Sequence, residues 1–181
     1  MERVCFTMRV APENIGSYVA MHASAWPELL RELDRAGWAN YSLFLREDGF
    51  LVGYWESQDP RAAMASMDGA DVSPRWSAEM DRLVVPGSVM RYPRLVTATG
   101  EARAHAARGV FVAAAGHPVD PHGWSNLAIF ETDDGAQLVY AEGAGVAPGA
   151  FREVFNLAER LDALVSGAST SANRPGDPPG P

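Results

Sequence analysis

Cysteine is almost missing: Cys5 is the only one in 181 residues. A single thiol cannot build an internal disulfide framework, and it suits a reducing compartment such as the cytoplasm. Long hydrophobic runs are missing too. Val110–Ala115 is far shorter than the roughly 20 apolar residues a membrane-spanning helix needs. Positive charge is scarce, with 15 Lys and Arg against 23 Asp and Glu, a net charge of −8. That balance argues against nucleic acid and anionic membrane as partners, and no basic cluster is interleaved with aromatics. Met1-Glu2-Arg3 leads straight into an alternating segment, so no signal peptide is expected. Gly143-Ala-Gly145 lacks the spacing of a phosphate-binding glycine loop.

What is present is ample apolar material, 47% of the chain, enough for one domain or one domain with an addition. Arg3–Val10 alternates as a strand, with Val4, Phe6, Met8 and Val10 on one side. Pro12 opens a helical pattern that reaches about Ala36 and stops at Gly37. Pro27 inside it removes a backbone donor and predicts a kink near Ser24–Trp26. Trp38–Arg46 and Phe50–Glu56 read as a hairpin around Glu47-Asp48-Gly49. Asp59-Pro60 starts a helix, and Asp71–Pro74 restarts one running to about Leu83. The order β-α-β-β-α then lacks one strand of a ferredoxin-like unit.

That strand is expected late, at Phe151–Leu157, after an inserted stretch rich in Ala, Gly and Pro. Within the stretch, Gly109–Ala115 reads as a strand, and Asn126–Glu131 and Gln137–Glu142 as a hairpin. The expected division is 1–84 with 150–165 as the main domain, 85–149 as a peripheral β-rich insertion, and 166–181 as a disordered tail after a short helix at Ala158–Val165.

Tyr18, His22 and Trp26 stand four residues apart, so on one helix they share a face with Ile15, Leu29 and Leu33. A histidine can titrate near neutral pH and serve as acid or base; the plain alternative is a core histidine bonded to backbone. Glu28 reads as a solvent-facing helix residue or an arginine partner, with a second carboxylate at the site as the other reading. Trp55 and Trp38 read as packing residues. His117, Asp120 and His122 lack metal-site spacing and read as a solvated loop.

These residues resemble the L-rhamnose mutarotase family. The resemblance rests on R-V-C-F-T-M-R-V-A-P at the start and Y-x-x-x-H-x-x-x-W-P-E at 18–28. It also rests on G-W-A-N-Y-S-L-F-L at 37–45, R-W-S-A-E-M at 75–80 and E-V-F-x-L at 153–157. It implies an α+β fold, a ferredoxin-like βαββαβ unit assembling as a dimeric α+β barrel. It implies His22 as the catalytic acid, donating the proton that opens the sugar ring, and Tyr18, Tyr41, Trp76 and Ser77 as sugar contacts. Ser77 departs from the paired tryptophans common in the family, and the insertion departs from its length. The implied activity is interconversion of the anomers of L-rhamnose or a related 6-deoxy sugar by acid/base-assisted ring opening.

Ring opening needs a proton delivered to the ring oxygen and one removed from the anomeric hydroxyl, so no metal or other cofactor is expected. The expected partners are the sugar and a second copy of the chain. The copy is expected because a single sheet carrying Val4, Phe6, Met8, Leu43 and Leu45 leaves one apolar face open. The same barrel also serves cofactor-free monooxygenases and haem-handling proteins, and a non-catalytic sugar-binding or interaction protein is a further alternative.

Overall fold

The structure is a computed structural model that describes residues 1–88, 90–104, 106–114, 119–120, 122–143 and 150–171. Strand β1 (Glu2–Arg9) sends Phe6 to one face, with Val4 and Met8 beside it, and Cys5 to the other. A single 3-10 turn, Pro12–Asn14, leads into α1 (Ile15–Ala23), and α2 (Pro27–Arg35) follows. The expected kinked helix is therefore two helices. Pro27 has no N–H and holds Trp26 extended, at φ −61° and ψ 132°. Ser24 closes α1, its N–H and Oγ both donating to the Ala20 carbonyl at 3.1 and 2.9 Å. Tyr18 and His22 keep their shared helix, and Trp26 sits at the break.

Strands β2 (Ala39–Arg46) and β3 (Phe50–Ser57) form the hairpin. Gly49 takes φ +82° at its turn, and a Cβ there would lie 2.1 Å from the Val10 carbonyl oxygen. Helices α3 (Pro60–Asp68) and α4 (Val72–Met80) come next, α3 capped by the Asp59 carboxylate accepting the Ala62 N–H at 2.9 Å. The chain then runs along the free edge of β1, where Thr7 and Arg91 exchange backbone hydrogen bonds of 2.8 and 2.9 Å.

The remaining elements are β4 (Arg94–Gly100), β5 (Arg108–Ala113), β6 (Asn126–Glu131), β7 (Gln137–Glu142), β8 (Phe151–Asn156) and α5 (Leu157–Ser171). Strand β4 was not among the expected strands; most of its residues are exposed, so its sequence alternates weakly. Helix α5 continues to Ser171, past the expected start of a disordered tail at Ser166, and 172–181 lie outside the described residues.

Two antiparallel four-stranded sheets result, in the orders β1-β3-β2-β8 and β4-β6-β7-β5. In the first, β1 and β2 run parallel with β3 between them, and β3 and β8 run parallel with β2 between them. Each pair is a split β-α-β unit, so β8 completes βαββαβ as expected. Helices cover one face of this sheet, Leu29 and Leu33 of α2 sharing a core with Phe6, Leu43, Trp55 and Phe155 of the strands.

The other face, with Cys5, Phe44, Val52 and Tyr54, packs on Val110, Phe130, Leu138 and Tyr140 of the second sheet. Two expectations change here. Residues 85–149 are not peripheral, because their sheet supplies half of a shared core. The open face that called for a second copy is covered within the chain, and Phe6, Leu43 and Leu45 face the helices instead.

Candidate active site

Between the helices and the first sheet lies a cavity of about 320 Å³. Tyr18 and His22 from α1, Tyr41 from β2, Trp76 and Ser77 from α4, and Phe155 from β8 all line it. All five residues expected at the site are thus brought to one cavity.

Each position has a local cause. The amphipathic α1 buries Tyr18 and His22 at 3% and 5% exposure, with ring centroids 4.2 Å apart. Trp76 stands edge-on to His22 at 5.3 Å, and Phe155 edge-on at 5.7 Å, so the imidazole is gripped by three rings. Trp26 reaches the site indirectly, packing against Trp76 at 5.3 Å. Tyr41 is wedged between Trp38 and Phe155 at 5.0 and 5.3 Å.

The electrostatics follow from this enclosure. His22 Nδ1 lies 3.0 Å from the Tyr18 carbonyl oxygen. A carbonyl only accepts, so Nδ1 carries the proton and the neutral ring leaves Nε2 as a bare acceptor. Burial lowers the imidazole to about 4, opposed by the Tyr18 hydrogen bond and assisted by the Arg160 charge. At neutral pH the ring is therefore uncharged. The backbone-bonded histidine and the cavity histidine are one residue.

Burial also raises both Tyr18 and Tyr41, the first with the nearby Tyr41 and the second with the nearby Tyr92 adding to it, so both phenols stay protonated donors.

The rim carries residues that pattern reading did not single out. Asp68 ends α3, Asp81 follows α4, and Met90 and Tyr92 come from the segment beside β1. That segment has no hydrophobic period, so nothing in it signals a pocket wall. Phe155 was legible only as part of the last strand. Trp38 and Trp55 stack at 3.9 Å and also border the cavity, and neither indole N–H has a hydrogen-bond partner among the described residues.

Glu28 does not join the cavity. It pairs with Arg75 at 2.8 Å in the open, and the guanidinium lies over Trp26 at 5.0 Å. Of the histidine loop, His117 lies outside the described residues, and the His122 N–H donates to the Asp120 carboxylate at 2.9 Å. Among the described residues no three His, Cys, Asp or Glu side chains converge as metal ligands. A larger recess of about 780 Å³, bordered by Trp38, Asp59 and Leu161, has no histidine among the described residues that line it.

The cavity is half-enclosed, with aromatic walls, phenol donors, one uncharged imidazole and carboxylates at its rim, the groups that acid–base chemistry on a small hydroxylated ring calls for. The L-rhamnose mutarotase family model matches residues 3–111, from β1 into β5. The L-rhamnose mutarotase of Rhizobium meliloti is 37% identical over 82 residues, covering 44% of this chain and 77% of that protein. That of Burkholderia ambifaria is 33% identical over 87 residues, 48% and 84% of the two chains. A solved structure of an L-rhamnose mutarotase from Formosa agariphila superposes with a TM-score of 0.46 at 22% identity, covering 54% of this chain and 97% of that one. This chain belongs to the L-rhamnose mutarotase family.

Proposed function

We propose that the protein is an isomerase that interconverts the α and β anomers of L-rhamnose, with His22 as its acid–base group. The observation that carries the chemistry is the bare Nε2 of a neutral imidazole lining an aromatic cavity.

In this reading the sugar lies with an apolar C–H face or its methyl group against Trp76. Nε2 takes the proton of the anomeric hydroxyl, and the oxygen–hydrogen electrons become the carbonyl π bond. The bond from the anomeric carbon to the ring oxygen breaks, and that oxygen receives a proton from a phenol or a water beside it. The aldehyde turns about one bond and recloses on its other face. The imidazolium formed on opening then returns its proton to the carbonyl oxygen as the ring closes; His22 is thus the base of the opening step, in place of the ring-opening proton donor that the family resemblance implies.

Tyr18 and Tyr41 donate to sugar hydroxyls, Ser77 contacts the sugar at the rim, and the free indole N–H groups of Trp38 and Trp55 are available as further donors. Asp68 and Asp81 stand on the same cavity and supply acceptors. The lone buried Cys5 and the acidic surface fit a cytoplasmic protein acting on a small molecule rather than on nucleic acid.

The test is NMR exchange spectroscopy on equilibrated L-rhamnose. Catalytic amounts of the protein should accelerate exchange between the two anomeric signals well beyond the buffer rate. An unchanged rate at saturating protein rules the activity out.

A further inference from the structure

The second sheet repeats the first in sequence. Gly37-Trp38-Ala39-Asn40 is answered by Gly123-Trp124-Ser125-Asn126. At the same constant offset Phe44 is answered by Phe130, Asp48-Gly49 by Asp134-Gly135, Tyr54 by Tyr140 and Glu56 by Glu142. Backbone conformations agree: Gly37 and Gly123 take φ +84° and +90°, and Gly49 and Gly135 take +82° and +81°. The hairpin registers agree as well, Phe44 facing Val52 where Phe130 faces Leu138, and Ser42 facing Tyr54 where Ala128 faces Tyr140.

The outer strands extend the match. Arg3 pairs with Glu56 on one side of the first hairpin, and Arg108 pairs with Glu142 in the second. On the other side, β8 bulges at Val154 against Leu43 and Phe44, and β4 bulges at Val96 against Ile129 and Phe130. Written from equivalent edges, the sheet orders are β1-β3-β2-β8 and β5-β7-β6-β4. Strand β4, which follows the helices of the first half, thus closes the second sheet, and β8, which follows the second hairpin, closes the first.

Contacts between the sheets come in matching pairs. Phe44 meets Tyr140 at 6.0 Å and 67°, and Phe130 meets Tyr54 at 6.2 Å and 72°. Tyr54 and Tyr140 stack on each other at 3.5 Å. Each tyrosine donates to the glutamate two residues on, at 2.7 and 2.6 Å. The Asn40 amide donates to Glu56 and Glu142 at 3.0 and 2.6 Å, and the Asn126 amide donates to the same two at 2.7 and 3.2 Å. At the two seams, Arg3 on β1 donates to the Gly100 carbonyl of β4, and Arg108 on β5 faces Glu153 of β8.

We infer that the second half is a degenerate copy of the first, that it occupies the place a second protomer would take, and that the chain works as a monomer with one site. In chain order, 12 residues (114–125) join β5 to β6 where 29 (10–38) join β1 to β2, and 8 (143–150) join β7 to β8 where 36 (58–93) join β3 to β4. The copy is therefore too short to rebuild the helix pairs that carry Tyr18, His22 and Trp76. Its counterpart to Phe155 is Thr97.

The face carrying Phe44 and Tyr54 is closed by a tethered sheet, and a second chain would have to displace a partner held at an effective concentration of about millimolar or higher. Displacement would also break the amide bridges and leave Glu56 and Glu142 short of their partners.

Light scattering of the full chain after size exclusion tests this directly. Between about 1 and about 500 μM the mass should stay at the single-chain value, 19.5 kDa, a range in which an interface of ordinary strength would be saturated. Twice that mass at micromolar concentration overturns the inference. A second measurement asks whose β8 completes the site. His22→Ala and Phe155→Ala chains are unfolded together and refolded as a mixture. If chains traded β8, a wild-type site would reappear and anomer exchange would rise; a self-contained chain gives no gain over the separate variants. This second arm rests on the mutarotase reading, whereas the mass does not. Absence of exchange in the wild type would count against that activity and leave the monomer inference standing on its mass.

Discussion

His22 donates from Nδ1 to the backbone carbonyl of Tyr18, one helical turn earlier, at 3.0 Å. This one bond fixes the tautomer, turns Nε2 into the unprotonated nitrogen, and ties the ring to α1. With burial holding the group near 4, the acceptor is present throughout the neutral range. The rate of anomer exchange should therefore stay flat as pH falls through 6.5 and decline only toward about 4, after correction for the buffer reaction. A break at 6.5 would mean that the ring titrates as in water. His22→Ala should slow exchange by roughly 10²- to 10⁴-fold.

The same histidine makes folding stability depend on pH. Its folded value lies below its ordinary one, so the unfolded chain binds the proton first. The contribution is complete above 6.5, is lost as pH falls from 6.5 to about 4, and is constant below that. The full loss is about 3 kcal/mol. Glu153 acts in the opposite sense, because burial raises its carboxyl. Urea midpoints measured across this window should fall more steeply for the wild type than for His22→Asn, and equal slopes would contradict the assignment.

Carboxylates inside and outside the cavity should behave differently. Glu28→Gln removes an exposed ion pair with Arg75 and should leave exchange and stability nearly unchanged, within about 0.5 kcal/mol. Asp68→Asn and Asp81→Asn each alter the rim, and at least one should reduce the rate by ~10-fold or more. A silent pair of rim variants beside a damaging Glu28→Gln would relocate the acid–base partner.

Trp76 stands edge-on to His22 and packs on Trp26. Trp76→Ala should raise KM for L-rhamnose more than it lowers kcat, since the lost ring face binds ground state and transition state alike. Tyr18→Phe keeps the ring and the backbone carbonyl that holds His22, so its effect should be the smaller one. Steady-state kinetics on the two variants checks both statements.

The second sheet should be indispensable to the fold. Phe130→Ala removes a ring that is 1% exposed in the inter-sheet core and should cost about 3–5 kcal/mol in denaturant unfolding. A chain joining Leu83 directly to Phe151 would expose Cys5, Phe44, Val52 and Tyr54 and should be insoluble or dimeric. Recovery of a stable monomer from that deletion would mean the shared core is dispensable.

Much of the fold was legible locally. Alternation marked β1, the Asp48-Gly49 turn marked the β2–β3 hairpin, Pro60 marked a helix start, and F-R-E-V-F-N marked the closing strand. Pro27 was legible as a disturbance, although its result is a clean break, because the residue before proline must leave the helical region as well. Strand β4 was not legible, since a mostly exposed strand has no apolar face to impose a period of two. Tyr92 and Asp68 were not legible as cavity residues for a related reason: nothing in a local pattern says which loop will lie beside which helix.

The sequence by itself determined most of the elements and the Tyr, His and Trp side chains of the site, because backbone preference and apolar periodicity act over a few residues. It also held the repeat of Trp, Asn, Phe, Asp-Gly, Tyr and Glu, which gains physical meaning only when Tyr54 lies on Tyr140. Tertiary structure decided which face of the first sheet is covered and by what, and which loop walls the cavity. It also decided that the imidazole is uncharged. Those outcomes depend on burial and on groups distant in the chain: desolvation of His22 requires Trp76 and Phe155 around it, and the two buried glutamates require amides from both halves.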